Sequence, residues 1–477
     1  MQYYPKWLAL AGCFFAAYLA SAQEQPPNII WLMAEDISTD LACYGTAGVQ
    51  TPNLDRLAAE GTRYTNAFST NPICSPNRSA MMVGVHQNKI NAHQHRSNRS
   101  IPLAEPYRPI TYWLRQAGYT CVLGHEKVMG KGRKTDVNFQ HDQLGPYDGK
   151  TQFGLFDKYD EISAENQPFF SQIQLLVTHR GDWWEEISAQ SADPVDTAEI
   201  ALPPYLADHP IVKEDWARYL DQMEYMDHEV GLILDELEAK GLADNTIIIF
   251  IGDNGRCNLR GKGYLHDSGL RIPLIVWGKG VPQGRVEDAL VDVTDMSASV
   301  LKLAGAELPD YLTGTPFINT AHQEKEYIYA ARDLWDEVME KSRAITGKRY
   351  KYIRHDHPQI PFDARQAYLE FYRPALHVMR DLQKEGKLTP EQSFFLAPHK
   401  PEEELYDLQN DPHELENLAD SEEHREILQE LRTTLAGMEQ EMQTYGPAEL
   451  VWPVSVDVLA WVMQNRPDLY QQMLAGK

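Results

Sequence analysis

The chain has 477 residues, 43% hydrophobic and 24% charged, an ordinary globular composition with room for one large domain or two. Its 69 Asp+Glu against 44 Lys+Arg give a net charge of −25, which argues against a nucleic-acid partner. An anionic substrate would need a local positive pocket, and five cysteines are too few for a disulfide scaffold.

At the N-terminus, Lys6 ends a short charged region, residues 7–19 are nearly all apolar, and Ala20-Ser21-Ala22 offers a small-residue cleavage site. This reads as a secretory signal over 1–22. Leu10-Ala11-Gly12-Cys13 also fits a lipoprotein cleavage box, so anchoring through Cys13 stays open. The segment is too short to span a bilayer comfortably, and no later apolar run reaches membrane length. The expectation is an exported protein, periplasmic or secreted, with no stable transmembrane segment. If Cys13 leaves with the signal and Cys74 stays free, at most one disulfide can form.

Residues 27–33 form a short apolar run that ends in Ala34-Glu35-Asp36, the pattern of a buried parallel strand with carboxylates at its C-terminal end. Thr51-Pro52 starts a helix, with Thr51 as N-cap and Pro52 in the first turn, and Gly61 closes it. The pattern then predicts a strand over 64–69, a helix over 110–117, and strands over 119–123 and 169–177, the last followed by His179. A helix over 215–241 precedes the most apolar strand, 246–252, which runs into Asp253-Asn254-Gly255. A strand over 274–277 and a helix over 291–303 follow. Alternating apolar strands and helices indicate a parallel α/β sheet covered on both faces. Ligands bind such sheets at the strand C-terminal ends, where Glu35, Asp36, His179, Asp253 and Asn254 stand. Beyond about 318, short antiparallel strands are predicted over 327–331, 342–346 and 350–354, with long polar helices over 363–386 and 422–445. The expected organisation is a signal at 1–22, a catalytic domain at 23–318 and a smaller C-terminal α+β domain at 319–477.

The densest chemical signal is Cys74-Ser75-Pro76-Asn77-Arg78. Proline two residues after the cysteine fits a first helical turn, which puts Cys74 at a helix N-terminus, where the dipole favours negative charge. Arg78 follows one turn later. A cysteine so placed is suited to chemistry. Glu35, Asp36, Asp253 and Asn254 supply only oxygen donors, the set a hard divalent cation prefers.

C-x-P-x-R resembles the modification signature of the type I, formylglycine-dependent sulfatases of the alkaline phosphatase-like superfamily. Residues 28–36, 51–58, 241–255 and 261–274 also resemble that family's segments, as do Glu404-Leu405-Tyr406-Asp407-Leu408 and Asp411-Pro412-His413-Glu414. The resemblance implies a large mixed, mostly parallel sheet sandwiched by helices. It also implies hydrolysis of sulfate esters by formylglycine made from Cys74, and hence a maturation enzyme as partner. Glu35, Asp36, Asp253, Asn254 and the modified Cys74 would hold one calcium. Arg78 would stabilise the hydrate, Lys262 would hold a sulfate oxygen, and His179 would protonate the leaving alcohol. The family's Gly-Lys-x-His is reordered here as Gly124-His125-Glu126-Lys127. His125 and Lys127 are therefore candidates for that role, with Lys131 or Lys134 as substitutes.

The basic stretch His86, Lys89, His93, His95, Arg96 and Arg99 reads either as a subsite lip for sulfate or carboxylate groups on a sugar chain, or as a solvated polar loop. Lys131, Arg133 and Lys134 carry the same two readings. Trp183-Trp184 could stack on a sugar or pack inside, and His355 with His357 reads as a surface loop, with a substrate contact as the other reading. The preferred function is an exported sulfatase acting on a sulfated carbohydrate. The alternatives are a phosphonate or phosphodiester hydrolase on the same scaffold, or a catalytically silent glycan-binding relative.

Overall fold

The computed structural model describes residues 25–442, except 337 and 365, together with Pro467. The signal reading of 1–22, including Cys13, and the end of the helix expected to reach 445 lie outside the described residues.

The chain begins with β1 (Asn28–Ala34), α1 (Pro52–Glu60), β2 (Thr62–Phe68), α2 (Cys74–Val83), α3 (Ile110–Gln116) and β3 (Thr120–Leu123). Short strands β4 (Asp142–Leu144), β5 (Gly154–Phe156) and β6 (Lys158–Tyr159) precede β7 (Phe169–Leu175), α4 (Trp183–Gln190) and α5 (Pro210–Ala239). Next come β8 (Thr246–Gly252), α6 (Asp267–Leu270), β9 (Arg271–Gly278), β10 (Arg285–Glu287), β11 (Val291–Asp292) and α7 (Val293–Leu303).

The main sheet has the order β10-β2-β9-β8-β1-β7-β3-β6, with β11 also paired to β2. β1 lies parallel between β7 and β8, with Ala34 opposite both Leu175 and Gly252. Three strand ends are thus aligned, and the polar residues after them emerge side by side. β1 and β8 are buried on both faces, which is why they are continuously apolar. The period of two sorts their residues into separate cores. Ile30, Leu32, Ile248 and Phe250 face α1, α4 and α5, while Trp31, Met33, Ile249 and Ile251 face α2, α3 and α7.

A second, antiparallel sheet is formed by β12 (Ile328–Arg332), β13 (Ser342–Thr346), β14 (Tyr350–His355) and β15 (Glu403–Asp407). Helices α8 (Ala367–Tyr372), α9 (Pro374–Lys384) and α10 (Pro390–Ser393) connect β14 to β15, and α11 (Arg425–Glu441) follows. Leu376 and Met379 of α9 join the core on the α5 side of the main sheet, so the C-terminal part also packs back on the large layer.

The architecture is the expected mixed, mostly parallel α/β sheet with a smaller C-terminal antiparallel sheet. Several details differ from the sequence reading. β9 runs antiparallel to β8 and β2. Thr51 makes no side-chain cap, since its hydroxyl instead donates to Asp55. The helix expected over 363–386 breaks into α8 and α9 at Pro374, which cannot donate to the preceding turn. His355 is buried on Glu404 rather than lying in a surface loop. The four described cysteines, Cys43, Cys74, Cys121 and Cys257, are free thiols.

Candidate active site

Glu35 and Asp36 follow β1, Asp253 and Asn254 follow β8, and all four are buried. Asp36 sits at φ 51, a left-handed conformation that acidic residues tolerate better than most. There its backbone N–H donates to Asp253 Oδ1 at 3.0 Å, and Asn254 Nδ2 donates to Asp36 Oδ1 at 3.0 Å. The two strand ends are thereby stitched into one unit.

Cys74 is the first residue of α2 and is buried. Arg78, one turn on, spans the carboxylates. Its Nε donates to Asp253 Oδ2 at 3.0 Å and its Nη2 to Glu35 Oε1 at 3.3 Å. Two lysines complete the set. Lys134 Nζ donates to Glu35 Oε2 at 2.6 Å, and Lys262 Nζ reaches both oxygens of Asp36 at 2.7 and 2.9 Å. His179 Nε2 stands 3.9 Å from Glu35 Oε2, with its side chain 23% exposed. Trp183 and Tyr368 flank its ring. Arg78, Lys134 and Lys262 match Glu35, Asp36 and Asp253 in charge, so the cluster is balanced within a chain of net charge −25.

Burial disfavours every charge here, and the partners decide the outcome. Burial would raise Glu35, but Lys134 and then Arg78 hold it below the usual carboxylate range. Burial also opposes ionisation of Asp36, yet Lys262 holds it at about 2. Asp253 is pushed up to about 6 by burial, with Glu35 and Asp36 adding to it against Arg78. Burial pushes the Cys74 thiol up to about 11, although Lys262 opposes it. A thiol held protonated in this way is a poor nucleophile as it stands. His179 is pushed down to about 4 by burial and then by Lys262, which leaves it neutral near pH 7.

The expected metal donors are all oxygens apart from residue 74. Asn254 Oδ1 is buried without a partner, and Asp253 carries no lysine of its own. Both observations fit a hard cation. Among the described residues, however, no three His, Cys, Asp or Glu side chains stand in ligating geometry, because Lys134 and Lys262 occupy Glu35 and Asp36.

Cys74, Arg78, His179, Lys262 and the four strand-end residues are thus brought together. His125 and Lys127 are not. Both pair with Glu236 of α5, at 3.6 and 2.9 Å, and touch none of the cluster. The reordered motif places its histidine against Glu236 of α5, and Lys134, nine residues later, enters the site. Two residues beyond Lys134 is Asp136, which pairs with Lys134, Arg96 and Arg99.

Neither reading of the basic stretch describes its histidines. His86, His93 and His95 are all buried, and His95 Nε2 lies 3.8 Å from Cys74 Sγ. Its Nδ1 is 2.9 Å from Asp336 Oδ1, a residue that no sequence signal singled out. Trp184 is buried on Tyr219, whereas Trp183 is half-buried beside His179.

Comparison with known proteins places the chain in a family. The family model described as Sulfatase matches residues 27–306, and N-sulphoglucosamine sulphohydrolase, C-terminal, matches 255–363. An ulvan-active sulfatase of Formosa agariphila is 32% identical over 86% of this chain and 74% of its own length. The human N-sulphoglucosamine sulphohydrolase is 24% identical over 92% of this chain and 94% of its own. Among solved structures, BT4656 in complex with D-glucosamine-2-N,6-O-disulfate superposes with a TM-score of 0.60 at 17% identity, covering 89% of this chain and all of that one. A phosphonate monoester hydrolase of Agrobacterium radiobacter gives 0.59 at 17% identity, covering 87% of this chain and 96% of its own. The fold is that of solved sulfatases, a mixed α/β sheet with a smaller antiparallel sheet. The chain belongs to the sulfatase family, the sulfuric ester hydrolases.

Proposed function

We propose that the protein is exported and removes sulfate from a sulfated carbohydrate, using a formylglycine made from Cys74 by a maturation enzyme, together with one calcium. The observation that carries this reading is the convergence of Arg78, Lys134, Lys262 and His179 on three buried carboxylates at adjacent strand ends, with Cys74 one turn before Arg78 on the same helix. Formylglycine supplies a geminal diol, one oxygen of which attacks sulfur while the other hydroxyl allows sulfate to leave.

Glu35, Asp36, Asp253, Asn254 and residue 74 would hold the cation, which supplies charge stabilisation. Lys134 and Lys262 would turn from Glu35 and Asp36 to the sulfate oxygens, presenting preorganised positive charge where negative charge develops. His179, neutral and partly exposed, stands beside Glu35, where a leaving alcohol would depart. It would give that oxygen a proton, which it must first gain in the substrate complex, a role worth about 10²–10⁴-fold. A carbohydrate substrate is supported by the names of the relatives and by the aromatic wall of Trp183 and Tyr368 beside His179. Export rests on the signal-like residues 1–22. No helix among the described residues is long and apolar enough to cross a membrane.

Sulfate release from a panel of sulfated mono- and oligosaccharides tests the reading, alongside paired aryl sulfate and aryl phosphodiester substrates. Intact mass of the Cys74 peptide is measured on the same preparation. Unmodified cysteine throughout, or full activity in Cys74→Ala, would sink it. Calcium should raise the melting temperature by mass action and a chelator should reverse the effect. No calcium-dependent shift would remove the metal from the proposal.

A further inference from the structure

Cys74 Sγ has one side-chain neighbour at bonding distance among the described residues, and it is His95 rather than a member of the carboxylate cluster. The ring is held from its other side. Its Nδ1 meets Asp336 Oδ1 at 2.9 Å, and Asp336 Oδ2 accepts from Gln366 Nε2 at 3.1 Å. The backbone fixes the same pair, with His95 N–H donating to Leu334 O at 3.1 Å and Leu334 N–H to Gln94 Oε1 at 2.7 Å. A ring nitrogen facing a carboxylate carries the hydrogen, so Nε2 presents its lone pair to residue 74.

Every other charged group around residue 74 is already ion-paired, including Asp253 with Arg78 and Asp136 with Lys134. Arg78 is permanently charged, Lys134 and Lys262 are ion-paired ammonium groups, and Glu35 and Asp36 face those cations. His179 lies on the Glu35 side.

We propose that His95, oriented by Asp336, is a catalytic base that takes a proton from the side-chain terminus of residue 74 during turnover. The O–H bond at that terminus breaks, an N–H bond forms at Nε2, and the resulting imidazolium is met by the Asp336 carboxylate. Asp336 is a positioning residue. It arrives from the connection between β12 and β13, 241 residues beyond His95, so the C-terminal sheet supplies part of the catalytic apparatus. The inference rests on the formylglycine reading above and adds the group that serves it.

The test compares wild type, His95→Gln, His95→Gly and Asp336→Asn, with formylglycine content read from the residue-74 peptide mass in each. His95→Gln should lower kcat on the order of 10²–10⁴-fold with KM little changed and formylglycine content equal to wild type. Asp336→Asn should lose roughly 10–100-fold, as expected for loss of an orienting partner. Added imidazole should restore part of the activity of His95→Gly, which a merely structural role would not allow. Three outcomes overturn the inference: kcat retained in His95→Gln, a rise in KM alone, or formylglycine lost from the variant peptides. Wild type without formylglycine or sulfate release overturns the underlying reading, and the inference with it. If the His95 variants do not fold, wild-type kcat in Asp336→Asn overturns the oriented base, and a fall in its kcat at unchanged KM and formylglycine content upholds it.

Discussion

At the scale of single residues, the site is decided by which cation reaches which carboxylate. Lys134 reaches Glu35, whereas His125 and Lys127 are tied to Glu236. Lys134→Ala should therefore lower kcat/KM by roughly 10²–10³-fold, the scale for losing one preorganised group facing developing charge. His125→Ala and Lys127→Ala should stay within about threefold of wild type. Steady-state kinetics on one sulfated substrate separates the two cases, and equal losses at all three positions would refute the assignment. The carboxylate ends Glu35-Asp36 and Asp253-Asn254 were readable because polar pairs interrupting strongly apolar runs stand out. The choice of Lys134 from among Lys127, Lys131 and Lys134 was not, since the 124–134 segment turns through left-handed residues at Gly130, Lys131 and Gly132 that no periodicity announces.

At the scale of elements, the lysine loop depends on one glycine. Gly263 has φ +94, its N–H donates to Pro72 O at 2.8 Å, and an added Cβ would lie 1.8 Å from the Trp335 ring. The loop carrying Lys262 is thus pinned between the segment before α2 and the C-terminal part. Gly263→Ala should destabilise the protein by about 2–4 kcal/mol, combining left-handed backbone strain with a steric clash. It should also reduce kcat by displacing Lys262. Denaturant unfolding with kinetics on the same sample checks both, and unchanged stability would contradict the packing described. The elements themselves were largely legible. Strands β1, β7 and β8 and helix α5 are long enough for their apolar patterns to declare them. The antiparallel direction of β9 and the break at Pro374 were not anticipated. Strand direction is not encoded in apolar content, and helical periodicity hides a proline unless its lost N–H is weighed.

At the scale of the whole molecule, folding stores several histidines neutral in its interior. His86 is the clearest case. Burial pushes it down to about 3, with Asp292 opposing and Arg343, Lys325 and His93 adding. Its Nε2 has no partner and its ring packs on Tyr329. Between about pH 3 and 6.5 the unfolded chain binds the extra proton, so the His86 contribution is complete above 6.5 and is lost as pH falls toward 3. From pH 6.5 to 5 this should remove about 2 kcal/mol of stability. Urea unfolding of wild type and His86→Gln at pH 7 and pH 5 checks it, with a shallower pH dependence expected for the variant. Identical slopes would show that His86 does not stay neutral.

What the amino-acid sequence determined by itself is local and chemical. Apolar runs set the strands, the carboxylate pairs mark their ends, and Cys74-Ser75-Pro76-Asn77-Arg78 sets a helix start with Cys74 in its first turn. What only the tertiary structure decided is which distant groups face that residue. The aligned ends of β8, β1 and β7 gather the carboxylates, the 124–134 turn delivers Lys134, and the C-terminal sheet brings Asp336 to His95. These contacts join residues far apart in the chain, and their free energy is what pairing gains against the cost of desolvation inside a packed core. Neither spacing nor composition records that pairing.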